Sequence, residues 1–192
     1  RKEKLVYILI ALGVTAVMIY ILYIRLIKLR NGTLEALSSI DVQLKKRHDL
    51  VPNILTIAKK FMEHEEGVLS KVTQMRSISG SDYDKNNPEE VAQHLEANKQ
   101  LQSAMMNLFA VAENYPDLKS QETMVRAQET YEEVEGHISA ARRFYNSSVT
   151  DLKNAVEILP SSIIANMLGI KAMPFFEIDE IERKPVSASD IL

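Results

Sequence analysis

The apolar positions divide the chain into one continuous run and a series of helical stripes. Leu5 to Ile24 is twenty residues without a charge. As a helix it would be about 30 Å long, the thickness of a bilayer hydrocarbon core. After residue 30 the apolar residues recur every three or four positions, the period of a helix with one buried face. Leu34, Leu37, Leu44, Val51, Leu55, Ala58, Met62, Leu69 and Val72 fall on one stripe; Ile40, Ile54, Phe61, Val68 and Met75 widen it. This pattern predicts a helical segment from about Thr33 to Ser79, roughly 70 Å long.

Punctuation divides the rest. Pro52 allows two arrangements: a bend, or a restart with Asp49 as N-cap and Pro52 in the first turn. Asn31-Gly32 likewise allows a kink or a continuous helix. Ser79 to Asn87 has the composition of a turn. Asn87, Pro88 and Glu90 read as N-cap, N1 and N3 of the next helix, an Asn variant of the capping box. That helix ends near Asn114-Tyr115-Pro116-Asp117. A third helix carries Met124, Ala127, Tyr131, Val134, Ile138, Ala141, Tyr145, Ser148, Leu152, Ala155 and Leu159 at alternating spacings of three and four. Such a heptad-like seam suits either the inside of a bundle or a coiled coil between copies. Pro160 stops it. A short helix from Ser162 to Gly169 follows, within an apolar stretch from Ile163 to Ile178. Ile163, Ile164, Leu168, Phe175 and Phe176 form a candidate contact patch there, either a cap on the bundle or a surface for lipid or a neighbouring subunit.

The expected fold is all-α: a single N-terminal transmembrane helix, then an elongated up-and-down bundle of three long helices plus a short C-terminal one. The expected divisions are an anchor over 1–30, a bundle over 31–178 and a mobile tail over 179–192. Tyr7 lies near one end of the apolar run and Tyr20 and Tyr23 near the other, where amphipathic rings meet headgroups. Leu5, Tyr7, Tyr20, Tyr23 and Ile24 mark the expected anchor. A cleaved signal peptide fits less well, because the run is long and Arg25 follows it without a small-x-small site. The chain begins at Arg1 rather than Met, so residues are expected to precede it.

Composition changes the picture in one respect. A mean hydropathy of -0.12 describes an ordinary soluble protein, but it averages two unlike parts. Residues 1–30 carry six Lys and Arg against Glu3 alone, so the remainder holds a net charge of -8 out of the total of -3. An acidic body without a basic stripe is a poor nucleic-acid binder. Arg1, Lys2 and Lys4 flank one end of the run; Arg25, Lys28 and Arg30 flank the other, with Lys45, Lys46 and Arg47 beyond. The near flanks balance, and the charge pattern assigns no side of the membrane.

Candidate chemistry is sparse. The 192 residues include no Cys, six Gly and six Pro. No disulfide framework, thiolate zinc site or cysteine nucleophile is available. Residues three before the four histidines (His48, His64, His94, His137) are never Glu, so the di-iron bundle motif is absent. His64-Glu65 opens like a zincin helix, but Val68 stands where the second His is needed. No phosphate-binding glycine loop or Gly-x-Ser-x-Gly elbow occurs. The expectation is no catalytic, cofactor or metal residue. Asp41 and His48 lie on the apolar stripe of the first helix, a buried polar pair or a switch, for which Arg142 and Arg143 are possible partners of Asp41, Asp49 or Glu65.

Several motifs, in order, resemble the LemA family. They are Gln43-Leu44-Lys45-Lys46-Arg47-His48-Asp49-Leu50-Val51-Pro52-Asn53, His64-Glu65, Ala110 to Lys119, Ala140-Ala141-Arg142-Arg143-Phe144-Tyr145-Asn146, Pro160-Ser161-Ser162 and Pro174-Phe175-Phe176. Lys60 and Met62 stand where the family has a small residue, and Lys46 at a position that often carries a second basic residue. The resemblance implies a bacterial, single-pass protein of the cytoplasmic (inner) membrane with an extended four-helix domain and no established enzymatic activity. It also implies membrane organisation or adaptor work: a LemA-like domain occurs in a protein needed for magnetosome membranes, and members are often encoded near membrane metallopeptidases. Motif positions Arg47, Asp49, Asn53, His64, Glu65, Asn114, Asp117, Arg142, Arg143 and Asn146 become candidate interaction or structural residues. The expected function is a scaffold that self-assembles in the membrane; the alternative is an adaptor or sensor for another membrane protein. The expected partners are the lipid bilayer, further copies of the chain and another membrane protein, and no nucleic acid.

Overall fold

Four successive stretches with one apolar face each can bury those faces only against one another, as antiparallel helices around a shared core. The computed structural model describes residues 2–177, and among these it contains six helices and no strand. They are α1 (Lys2–Ala58), α2 (Glu66–Ser79), α3 (Pro88–Ala112), α4 (Pro116–Lys119), α5 (Glu122–Glu157) and α6 (Ser161–Met167). The readings of Ile178 and of the tail from Asp179 lie outside the described residues.

Cross-helix bonds fix the topology. Thr33 donates to the carbonyl of Ser148 and Arg47 to Glu135, so α5 runs antiparallel to α1. Arg30 meets Asn86 and Arg47 meets Asn98, so α3 runs parallel to α1. α2 with the 80–87 segment descends between them. The bundle is up-down-up-down, and the three long helices are α1, α3 and α5.

The apolar run and the first bundle helix are one element. α1 has 57 residues and is about 85 Å long. Its helix passes through Asn31-Gly32 without interruption. It also passes through Pro52, which lacks the N–H that the His48 carbonyl would accept. Arg76 of α2 donates its Nε–H to that carbonyl instead, at 3.1 Å.

The expected continuous segment from Thr33 to Ser79 is therefore corrected. The break comes at residues 59–65, not at the proline. Met62 is fully buried in this turn, and the Glu65 carboxylate accepts from Tyr115 at 3.0 Å. Folding back at this point lets Leu69, Val72 and Met75 join the core with Val51, Ile54 and Leu55.

Other boundaries follow local chemistry. The Asn87 side chain accepts from the Glu89 N–H at 3.1 Å, with Pro88 at N1. Glu90 does not return to the Asn87 backbone as a capping box would; it accepts from the Asn87 side chain and the Asp84 N–H, both at 2.8 Å. α6 ends where Gly169 adopts φ 65°, a left-handed conformation suited to glycine. The Gly169 N–H bonds Asn166 and the Ile170 N–H bonds Ala165, closing a Schellman motif.

The α5 seam is used within the chain. Val134, Ile138, Tyr145, Leu152 and Ala155 are buried with Ala36, Leu37, Ile40 and Leu44 of α1. Burial of each large apolar side chain contributes about 1.5–3 kcal/mol. Leu159, read as the last seam position, is 70% exposed because α5 ends at Glu157. The core itself has two parts: one lies beside the apolar run, with Leu26 at its base, and the other lies at the far end.

Candidate functional site

Between the two halves of the core sits a polar layer. Arg47 follows Leu44 of one half and precedes Val51 of the other, and its side chain is fully buried. Its Nη1 donates to Glu135 of α5 at 3.0 Å, and Nη2 donates to the carbonyl and side-chain oxygens of Asn98 at 2.7 and 3.1 Å. Asn98 in turn donates to the His94 carbonyl at 3.0 Å. The planar guanidinium thus ties α1, α3 and α5 at one level, a geometry an ammonium cannot reproduce.

A second cluster lies beside this layer, where the 80–87 segment crosses α1. Tyr83 donates to both Asp41 oxygens at 2.9 Å. Lys85 reaches Asp41 at 2.6 Å and Ser38 at 3.2 Å. His94 Nε2 lies 3.4 Å from Asp41, and its ring stacks on Tyr83 with centroids 4.0 Å apart. Burial raises the Asp41 pKa, but the hydrogen bonds from His94, Lys85 and Tyr83 together outweigh it and hold the carboxyl below its ordinary value. Burial and the Asp41 charge push the Tyr83 hydroxyl well up, so it stays a donor. These groups and His48 line a cleft of about 410 Å³. Gly80 forms its rim, because a Cβ there would stand 2.7 Å from His48 Nε2.

Both Asp41 oxygens are already bonded, and Ser38, which accepts from Lys85, donates to the Leu34 carbonyl. Among the described residues, no group of three or more His, Asp or Glu is placed to hold a metal ion.

The other motif residues fall at separate levels of the bundle. Asp49 is exposed and pairs with Lys45 at 3.3 Å and His48 at 3.6 Å; the Lys45 hydrogen bond lowers its pKa. Asn53 and His64 are exposed. Glu65, His64, Asn114 and Asp117 belong to the far end, where Asp117 stands in the first turn of α4, favourable for an acid. Arg142, Arg143 and Asn146 are on α5 towards the base. Arg142 lies over the Phe176 ring at 5.7 Å, and Arg143 donates to Ser139. Asp41, Asp49 and Glu65 bond Lys85, Lys45 and Tyr115 respectively.

Asn146 has a definite task. Its amide accepts from the Phe176 N–H at 2.9 Å and donates to the Phe176 carbonyl at 3.0 Å, as a strand partner would. The Tyr145 hydroxyl donates to the Pro174 carbonyl at 2.8 Å. These bonds fold residues 170–176 back along the bundle and bury Ile170, Met173 and Phe176. The apolar patch is therefore split: Phe176 is core and Ile164 is half-buried against it, while Ile163, Leu168 and Phe175 are exposed.

Asn98, Glu135, Tyr83, Lys85, His94 and Arg76 were not singled out by sequence. Asn98 alone left a signal, a polar residue at seam spacing between Leu95 and Leu101. The anchor residues Leu5, Tyr7, Tyr20 and Tyr23 are exposed and Ile24 is half-buried. α1 is long and apolar enough to cross a membrane; its most apolar eighteen residues have mean hydropathy 2.6 and bury nothing within the chain.

Comparison with known proteins agrees with the motifs. The model of a family described as the LemA family matches residues 36–189. A relative named Protein LemA, from Metamycoplasma hominis, is 27% identical over 98% of this chain and 85% of its own length.

Proposed function

The chain belongs to the LemA family, and from that premise we propose that it is a membrane-anchored helical scaffold which self-assembles and organises the bacterial membrane or proteins in it. The observation that carries this reading is the continuity of α1. One helix begins in the apolar run and ends at the far tip of the bundle, so the domain is fixed to its span without a linker. Arg47, Asn98 and Glu135 in the bundle interior hold three helices together, as befits a body that positions rather than transforms. In this reading the chain is not an enzyme, takes no cofactor and sits in the cytoplasmic membrane as a single-pass protein. Because the α5 seam is consumed internally, copies would meet through other surfaces. Size measurement of the detergent-extracted chain, with cross-linking in vesicles, tests self-assembly. A strict monomer across protein concentrations would overturn it.

A second reading is an adaptor or sensor for another membrane protein. Its support is the cleft of about 410 Å³ walled by Asp41, His48, Lys85 and His94. Cross-linking in cells from a reporter at Ser81, on the cleft wall, tests it; recovery of self-links alone would count against the adaptor.

A further inference from the structure

The exposed apolar surface of α1 continues onto α6. Ile19, Leu22 and Tyr23 form one wall of a groove of about 570 Å³, and Ile163, Met167 and Leu168 form the other. Met167 is 81% exposed, and Ile158 and Leu159 in the preceding turn are also exposed. Contiguous apolar surface of this kind marks a contact with lipid or protein. Residues 158–168 contain no charged side chain. The turn into α6 and its end are hydrogen-bonded: Ser162 donates to Ile158, Ile163 to Pro160 and Leu168 to Ile164, and the Schellman motif closes the helix.

Position selects the occupant. The groove runs beside residues 15–23 of α1, the last turns of the apolar run. Arg25 and Lys28 follow within about one turn, and Lys171 follows α6, where cations meet lipid phosphates. The opposite face of α6 is fixed, because Ala165 is fully buried in the core that contains Leu26. We propose that residues 158–168 enter the bilayer interface beside the span and that the groove between α6 and α1 holds a phospholipid acyl chain. This second membrane contact rests on the anchored reading given above.

The chain has no cysteine, so single reporters can be placed cleanly. Val14→Cys, Ile163→Cys, Met167→Cys and Glu129→Cys, all at exposed positions, would each carry an environment-sensitive fluorophore. The full chain is reconstituted in phosphatidylethanolamine–phosphatidylglycerol vesicles containing doxyl-labelled phosphatidylcholine. The proposal expects the labels at 163 and 167 to lose severalfold more fluorescence than the label at 129, and most with doxyl groups near the headgroup. Loss at 14 without loss at 163 and 167 overturns the proposal and leaves the anchor standing. Absence of loss at 14 overturns both. Protection of 167 from aqueous iodide without quenching by lipid means that protein covers the groove, and also overturns it.

Discussion

Arg76 supplies the hydrogen bond to the His48 carbonyl that Pro52 withholds. The donor lies on α2, 28 residues away in sequence, so an unbroken α1 depends on the hairpin that folds α2 against it. The same contact explains the close approach of Gly80, which follows α2 and packs on the His48 ring.

Arg76→Met should leave the His48 carbonyl without a partner and destabilise the chain by about 1–3 kcal/mol. Pro52→Ala restores an N–H within α1 and should remove most of that penalty in the double variant. Urea unfolding of the four chains, followed by circular dichroism, reads the coupling; additive effects would show that the two sites are independent.

Arg47→Ala strands Glu135 and Asn98 and should cost about 3–5 kcal/mol. Replacing Arg47, Asn98 and Glu135 together by Met, Leu and Leu should recover most of this, since the desolvation of the charges goes with them. Unfolding midpoints check the stability. Hydrogen exchange of α3 checks whether the register, which the polar layer now pins, has become less defined.

Asp41 gives stability a pH dependence of known sign. Its pKa is lowered in the fold, so its contribution is fully present above the unfolded carboxyl value of about 3.9 and is lost as pH falls through the lower folded value. Asp41→Asn should flatten the acid limb of a stability-against-pH curve and leave its shape above pH ~5 unchanged. A wild-type acid limb retained in the variant would remove Asp41 from that role.

Asn146→Ala should release the segment that it holds like a strand. The Phe176 amide is the specific reporter, since its N–H donates to Asn146. Its exchange rate should rise by at least ~10-fold, corresponding to the loss of about 1.4 kcal/mol, while amides of the α5 core remain slow. Asn146→Gln should rescue little, because the longer side chain moves the paired amide out of register.

Legibility in the sequence followed locality. Asn87-Pro88 and Gly169 mark helix ends through their own backbone preferences, and both boundaries were readable. The α5 stripe was readable because 36 residues of period 3.6 leave little choice. Residues 59–65 carry no Gly or Pro and were read as helix; their turn is made by the burial of Met62 and by Tyr115, fifty residues beyond Glu65. At Pro52 the helix does not restart, and the donor that replaces the missing N–H lies on another helix. The motif residues carried no assigned roles in the sequence, and Arg47, Glu65 and Asn146 serve three levels of the rod. Glu135 was hidden because an acid beside Val134 on a charged helix looks solvent-facing until α1 is packed against it.

The jointless α1 has a mechanical consequence. Beyond Ile24 it continues for 34 residues, about 50 Å, to Ala58. A transmembrane helix commonly tilts by about 20°, and without a hinge that tilt would swing the far end of the bundle sideways by about 17 Å. In the anchored reading, any tilt of the span would thereby become a lateral displacement of the tip where Glu65 and Asp117 lie.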